Sequence, residues 1–243
     1  EVPANKNLNR VLKDGDFTFI LSDKAGNEIE RVTNVGNTFQ FASLNFDREG
    51  TYEYVITELN DGKGGVTYDG HSYAVKIAVS DDTTPGRLTA VATVDGNDVA
   101  DDKNISVSFK NSYNVTDATL DLHAHKHLQG RPMDHDEFKF TLTAKNNAPM
   151  PAGYQNFVTN GYRGHIDFGT ITYTVVGTYE YTIKETAGAN DIGITYDATE
   201  YTITVKVVDN GEGALEASVF EVKKNGTALT DGAEIEFHNT YKA

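Results

Sequence analysis

The sequence predicts an all-β protein made of two similar domains in tandem. The same four sequence blocks occur twice, in the same order and at nearly the same spacings. A repeat of this kind indicates two copies of one structural unit. Within each block, apolar and polar residues alternate with a period of two, which is typical of half-buried β-strands. No stretch of useful length shows a helical period.

The repeated blocks predict one domain over residues 1–114 and a second over residues 115–243. The paired blocks are FTFIL (17–21) and FKFTL (138–142), GTYEYVITE (50–58) and GTYEYTIKE (177–185), VTYDGHSYAVKIAV (66–79) and ITYDATEYTITVKV (194–207), and ISVSFKNSY (105–113) and AEIEFHNTY (233–241). Turn signals such as Asp61-Gly62 and Asn225-Gly226 separate the strand patterns. About seven to nine short strands per domain is the pattern of an Ig-like β-sandwich.

Composition excludes several classes of function. The 243 residues have a formal net charge of −15, so the chain repels phosphate backbones and we expect no nucleic-acid partner. No apolar run is long enough to span a bilayer, so we expect no membrane insertion. Cysteine is absent, and covalent reinforcement would need chemistry other than disulfides. The abrupt start at Glu1 suggests a fragment of a longer protein.

Each domain opens with a lysine that is predicted to face the core. In the second domain, Leu120, Leu122, Ala124 and Lys126 share one face of a strand, because side chains alternate along it. In the first domain Lys6 follows Val2 and Ala4 in the same way. A lone charged group in a core is unfavourable unless it has a partner. The sequence therefore predicts a partner for each lysine.

Two further polar residues occupy equivalent, inward-facing positions in both domains. Glu58 and Glu185 end the YEYVITE and YEYTIKE strands, and Asn111 and Asn239 lie on the last strands. Burial favours a neutral lysine amine and a protonated glutamic acid. Such an amine can attack the asparagine carboxamide while the acid polarises its carbonyl and passes a proton to departing ammonia. The three residue types together therefore predict a lysine–asparagine amide bond.

These motifs resemble the isopeptide-linkage (CnaB-type) repeat domains of Gram-positive pilins and adhesin stalks. The resemblance covers both halves and rests on KHLQGRPM at 126–133, the F-x-F strands, GTYEYxIxE and the terminal F-x-N-x-Y. It implies that the lysine of the first strand bonds to the asparagine of the last strand, with the glutamate as catalytic partner. Carried over, the two sets are Lys6, Glu58 and Asn111, and Lys126, Glu185 and Asn239.

The resemblance also implies a role and a location. We expect a non-enzymatic stalk or shaft module of a cell-wall-anchored, extracellular surface protein, without a cofactor. Its partners would be neighbouring repeat domains of the same protein or pilus, with a host ligand possible at a distal tip. One departure concerns the first domain, where KNLNRVLK lacks the glycine and one residue of the spacing. We therefore expect the first bond to be the less secure one.

Two other classes of function stay open. An adhesin domain could bind a host ligand through residues 146–165, which the comparison of the halves predicts to be an insertion containing Tyr154, Phe157 and Tyr162. The many carboxylates also permit a glycosidase, but no pair of them is singled out by position. Attachment to a host after deletion of the insertion separates the adhesin from the stalk. Turnover of a small substrate would identify an enzyme.

Three histidines alternate along the strand that carries Lys126. His123, His125 and His127 are predicted to line the face opposite the lysine. His-x-His on a strand is a familiar spacing of metal ligands. No carboxylate or cysteine pattern in the sequence completes a site, so we interpret these histidines as solvated and predict no metal centre.

Overall fold

The chain divides into two compact units in a computed structural model, Glu1–Asn114 (unit 1) and Val115–Ala243 (unit 2). The structure describes residues 12–81, 86–99, 104–188 and 192–243. Within these ranges all longer elements are β-strands, and the only helical element is the 3-10 turn Tyr162–Gly164. The prediction of an all-β fold is confirmed.

Unit 1 contains one six-stranded antiparallel sheet and a two-stranded one. The large sheet has the order β2-β1-β3-β5-β6-β7, and the small one pairs β4 with β8. In its core Phe19 stacks on Phe39 with ring centroids 3.7 Å apart, and Phe109 packs 5.3 Å from Phe19. The strands are β1 Thr18–Asp23, β2 Glu28–Thr33, β3 Gly50–Glu58, β4 Val66–Thr67, β5 Ser72–Asp81, β6 Leu88–Val94, β7 Asn97–Asp98 and β8 Ser112–Tyr113.

Unit 2 is a β-sandwich. A six-stranded sheet of order β11-β10-β13-β15-β16-β17 packs on a four-stranded sheet of order β12-β9-β18-β14. The strands are β9 Ala118–Gln129, β10 Lys139–Ala144, β11 Val158–Thr159, β12 His165–Tyr173, β13 Gly177–Thr186, β14 Ile194–Thr195, β15 Glu200–Asp209, β16 Leu215–Lys224, β17 Thr227–Ala228 and β18 Glu236–Tyr241.

The two sheets of unit 2 meet through aromatic rings. Phe237 on β18 lies 5.2 Å from Phe140 on β10 and 5.2 Å from Tyr201 on β15, measured between ring centroids. All three residues are at most 1% exposed. Alternation places one side of the strands β9, β10, β12 and β15 in this core, because successive side chains point to opposite faces. The predicted Ig-like sandwich is confirmed.

The first and last strands of unit 2 are neighbours in the four-stranded sheet. β18 runs parallel to β9, with Phe237 opposite Lys126 and Asn239 opposite Leu128. Inward-facing side chains of the two strands therefore lie side by side, although more than a hundred residues separate them in sequence. This pairing positions the candidate site.

Candidate functional site

The Lys126 side chain lies in the core of unit 2, as its strand period predicts. Its Nζ atom is fully enclosed by protein and lies 4.9 Å from the ring centroid of Phe138 and 5.9 Å from that of Phe140. Aromatic faces attract a cation, but they replace only part of the hydration that the ammonium loses. Burial consequently lowers the pKa of Lys126 and favours its neutral amine.

Glu185 ends the inner face of β13 and contacts the lysine directly. The register of the sheet places Glu185 opposite Phe140, and its Oε2 atom lies 2.8 Å from Lys126 Nζ. The side chain is completely enclosed. Burial raises the pKa of Glu185, and the contact with Lys126 opposes that rise. A carboxyl in this position can accept or return a proton at the amine.

Asn239 completes the group from β18. Its Nδ2 atom donates to Glu185 Oε1 at 2.8 Å, and its Oδ1 atom accepts the backbone N–H of Asp197 at 2.8 Å. The residue is 1% exposed. Glu185 thus bridges the amine and the carboxamide, with one oxygen on each. The geometry brings together all three residues that the sequence predicts for unit 2.

Asp197 is a member of the site that sequence reasoning missed. Its carboxylate accepts the backbone N–H groups of Thr199 at 2.9 Å and His238 at 2.8 Å. Although burial opposes it, these hydrogen bonds lower the pKa of Asp197. The residue therefore ties the loop after β14 to His238 and Asn239 of β18. The repeated Tyr-Asp of the third block was a signal that could have identified it.

Unit 1 contains the same arrangement of acid and amide. Asn111 Nδ2 donates to Glu58 Oε1 at 2.7 Å, and Asn111 Oδ1 accepts the backbone N–H of Asp69 at 2.7 Å. Burial raises the pKa of Glu58, although the Asn111 hydrogen bond opposes the rise. The second oxygen of Glu58 is buried and has no hydrogen-bond partner among the described residues. Lys6, the predicted third member, lies outside the described residues.

Two buried asparagines, Asn34 and Asn160, fix the segment that precedes the F-x-F block of each unit. Asn34 donates to the carbonyl of Lys13 and Asn160 to that of Asp134, both at 2.8 Å. Each also accepts a backbone N–H, at 2.8 Å, from the phenylalanine that begins the F-x-F block. Lys13 and Asp134 are therefore equivalent positions. Sequence reasoning missed both asparagines, because a single polar residue between strands resembles a turn.

Because Lys13 and Asp134 are equivalent, the lengths of the segments that lead to them can be compared. Lys126 precedes Asp134 by eight residues, whereas Lys6 precedes Lys13 by seven. The segment between the predicted reactive lysine and the asparagine anchor is therefore shorter in unit 1. The glycine and the one residue of spacing that KNLNRVLK lacks both belong to this segment.

The predicted insertion at 146–165 is shorter than expected. Because Asn160 occupies the position of Asn34, residues 158–165 have a counterpart in unit 1 and are not inserted. The extra length is confined to 145–157, between β10 and β11. There the Tyr154 hydroxyl accepts the backbone N–H of Leu142 at 2.6 Å, which ties this loop to the edge of β10. Phe157 and Tyr162 remain exposed, at 44% and 84%.

The three alternating histidines lie on the face of β9 opposite Lys126, as predicted. His123 and His127 are exposed and His125 is partly buried. Among the residues that the structure describes, no helix is both long and apolar enough to cross a membrane.

The chain is similar in sequence to known proteins over most of its length. The family model FctA, described as Spy0128-like isopeptide containing domain, matches residues 2–114 and again residues 122–242. A pilin of Streptococcus pyogenes serotype M1 is 26% identical over 206 residues, which cover 78% of the chain and 56% of the pilin. The chain thus spans little more than half the length of that relative.

Solved structures of streptococcal pilins are also similar. The major pilin of Streptococcus pyogenes is 21% identical, with 96% of this chain and 93% of the pilin covered and a TM-score of 0.36. The T-13 major pilin of the same species is 19% identical, with 97% and 93% covered and a TM-score of 0.33. Since the family model matches nearly the whole chain in two copies, the chain belongs to the FctA family of Spy0128-like isopeptide-containing domains.

Proposed function

We propose that the chain is a structural shaft module of an extracellular bacterial pilus or surface stalk, and that each unit closes itself with a lysine–asparagine isopeptide bond. The observation that carries the proposal is the buried contact of Lys126, Glu185 and Asn239 between the first and last strands of unit 2. Membership of the FctA family supports the same role. The pilin relative supports assembly with neighbouring subunits at the cell surface.

The proposed reaction is an amide exchange. The neutral amine of Lys126 attacks Cγ of Asn239, and the protonated carboxyl of Glu185 polarises the carboxamide. The Cγ–Nδ2 bond breaks, the nitrogen leaves as ammonia, and Glu185 passes it the proton that Lys126 gives up. Positioning of the groups in contact provides an effective concentration on the order of 10⁵ M or more, which permits a spontaneous reaction.

Each unit reacts once, on itself, so the chain is not an enzyme in the ordinary sense. The product is a neutral secondary amide, which removes the unfavourable desolvation of a buried ammonium. The leaving ammonia makes the reaction effectively irreversible once it diffuses away. No cofactor is needed, since the atoms of the three side chains balance.

A mechanical argument favours the placement of the bond. Tension on the two ends of a sandwich acts on its first and last strands, and in unit 2 these are the paired strands β9 and β18. A covalent bridge between them transmits the force without shearing the sheet. The bridge also closes a loop of more than a hundred residues, which by analogy with disulfides stabilises the fold by about 4–5 kcal/mol.

For unit 1 the proposal assigns the same roles to Lys6, Glu58 and Asn111. Its support is the repeated acid–amide hydrogen bond at 2.7 Å and the buried second oxygen of Glu58, which corresponds to the oxygen that contacts Lys126 in unit 2. Of the three aromatic residues in the adhesin alternative, Tyr154 is used within the fold, where its hydroxyl accepts the Leu142 N–H, and Phe157 and Tyr162 remain exposed.

Intact mass of the denatured chain, followed by peptide mapping, tests the proposal. A deficit of two ammonia molecules is expected, with Lys6 joined to Asn111 and Lys126 to Asn239. The Asn239→Ala variant should lose one deficit and keep the other, and Asn111→Ala should do the reverse. The full unmodified mass of a folded chain would overturn the self-linking proposal.

A further inference from the structure

The outer face of the four-stranded sheet of unit 2 concentrates metal-ligating side chains. Strands β9, β12 and β18 alternate between core and solvent, and their solvent-facing positions along one stretch of the sheet are all histidines or carboxylates. Five of the seven histidines of the chain are included. The set is His123, His125, His127, His165, Asp167, Glu236 and His238.

The tertiary register places a histidine pair and a glutamate at one end of this face. His127 and His238 are directly opposite each other on the parallel strands β9 and β18. Their rings are stacked, with centroids 4.7 Å apart and an interplanar angle of 10°. Glu236 Oε1 lies 3.3 Å from His127 Nε2, and Glu236 Oε2 lies 3.5 Å from His238 Nε2.

A second triplet lies at the other end of the face. His123 Nδ1 is 3.7 Å from Asp167 Oδ1, and the rings of His123 and His165 are 5.2 Å apart. In each triplet one potential ligand atom per residue can be chosen so that all three lie within 4.8 Å of one another. His125 stands between the triplets, with its ring 5.5 Å from that of His165.

These separations match the coordination sphere of a small divalent transition metal. Zinc binds histidine nitrogen and carboxylate oxygen at about 2.0–2.2 Å in a tetrahedron, which places neighbouring ligand atoms about 3.3–3.5 Å apart. The Glu236 contacts already have this spacing. The side chains of His127, Glu236 and His238 are 41–56% exposed, so small rotations can close the remaining distance.

Simple solvation of a polar face explains a histidine row less well than metal binding does. The Nε2 atoms of His127 and His238 both face the Glu236 carboxylate. That carboxylate adds the negative charge that a divalent ion needs. The same combination, two histidines and one carboxylate, occurs in both triplets.

We propose that this face binds divalent transition metal ions of the zinc class, with His127, Glu236 and His238 as the principal site and His123, His165 and Asp167 as a second. Water would fill the open coordination position. The principal site bridges β9 and β18 from the outside, next to Lys126 and Asn239, which face inward one position away on the same strands. Metal would thus hold β9 and β18 together from the outside, and the proposed isopeptide bond would join the same two strands from the inside.

Zinc titration of the untagged, chelator-treated chain by isothermal calorimetry tests the proposal. Two zinc ions per chain are expected, with micromolar affinity at the principal site. The variant His127→Ala/His238→Ala should bind zinc at least tenfold more weakly at that site and keep the other. His123→Ala/His165→Ala should do the converse. The matched control is His71→Ala/His135→Ala, whose histidines lie outside this face and which should bind as the parent does.

Two further measurements separate binding at this face from nonspecific zinc binding and from loss of the fold. Cobalt should give the intense visible absorption of a tetrahedral N/O site in the parent and in the control. A four-histidine variant, which combines His127→Ala/His238→Ala with His123→Ala/His165→Ala, should not show this absorption. Each variant should show the same ammonia deficit in its intact mass and the same circular dichroism as the parent, since the changed side chains are exposed. Equal zinc affinity in the parent and the four-histidine variant would overturn the proposal, as would equal loss in the control.

Discussion

Units 1 and 2 share an acid–amide arrangement but differ in the length of the segment that follows the predicted reactive lysine. The Glu58–Asn111 hydrogen bond is 2.7 Å and the Glu185–Asn239 hydrogen bond is 2.8 Å. In both units the amide oxygen accepts the backbone N–H of the aspartate in the Tyr-Asp motif. Only unit 2 has its lysine within the described residues, where Lys126 contacts the acid.

The acid and the amide are joined in the same way in both units. Each hydrogen bond runs from the glutamate near the end of β3 or β13 to the asparagine near the C-terminal end of the unit. The amide oxygen is held in each case by the loop that follows β4 or β14. The difference between the units therefore lies in the segment after the predicted reactive lysine, which has seven residues from Lys6 to Lys13 and eight from Lys126 to Asp134.

Burial acts in the same direction on the acid of both units. It raises the pKa of Glu58 in unit 1 and the pKa of Glu185 in unit 2. In each unit it therefore favours the protonated carboxyl that the proposed reaction requires.

The largest expected effect is that of removing the acid. Glu185→Ala should abolish the bond in unit 2 and leave Lys126 buried without a partner. The lost crosslink costs about 4–5 kcal/mol, and the unpaired buried charge about 3–5 kcal/mol. Mass spectrometry and urea unfolding should show both effects in unit 2. Glu58→Ala is the matched change, and it should remove only the unit 1 bond. Normal crosslinking in either variant would contradict the assigned role.

The next largest effect concerns the asparagine anchors. Asn160→Ala leaves the N–H of Phe138 and the carbonyl of Asp134 without their buried partner, which should lower the free energy of unfolding by about 1–3 kcal/mol. Denaturant unfolding in the Asn239→Ala background avoids the masking effect of the crosslink. Asn34→Ala should have a similar effect on unit 1. A wild-type midpoint for both variants would show that these hydrogen bonds do not hold the opening segments.

A smaller effect is expected from the aspartate that braces the amide. Asp197→Ala removes the acceptor for the Thr199 and His238 backbone N–H groups and should loosen Asn239. A loss of orientation worth about 1.4 kcal/mol slows bond formation about tenfold. Timed mass spectra after refolding measure the rate. Asp209→Ala, at a surface turn, is the control and should react at the parent rate.

The smallest expected effect is that of pH near neutrality. The reactive pair, neutral Lys126 and protonated Glu185, holds the same number of protons as the ion pair, so its population is independent of pH while the pair keeps one proton. The rate should fall at low pH, where the lysine is charged beside a protonated acid. It should fall again at high pH, where Glu185 is ionised beside a neutral amine. A monotonic pH profile from refolding experiments would contradict this mechanism.

The repeat, the strands and the inward direction of Lys126, Glu185 and Asn239 could all be predicted from the amino-acid sequence. These features depend on local alternation, and side-chain direction along a strand follows from the period of two. The repeat added the equivalence of the two glutamates and the two asparagines. Neither source of information requires knowledge of which strands are neighbours.

The remaining features of the site depend on contacts between distant parts of the chain. Asp197 and Asn160 act through backbone groups of other strands, so their importance appears only when those strands are in place. The carboxylates that complete the histidine triplets, Asp167 and Glu236, come from strands β12 and β18, which flank β9 on its two sides. Strand order and register arise from long-range packing and hydrogen bonding between distant segments. A local sequence pattern does not contain that information, because it fixes the face of each side chain but not its neighbour across the sheet.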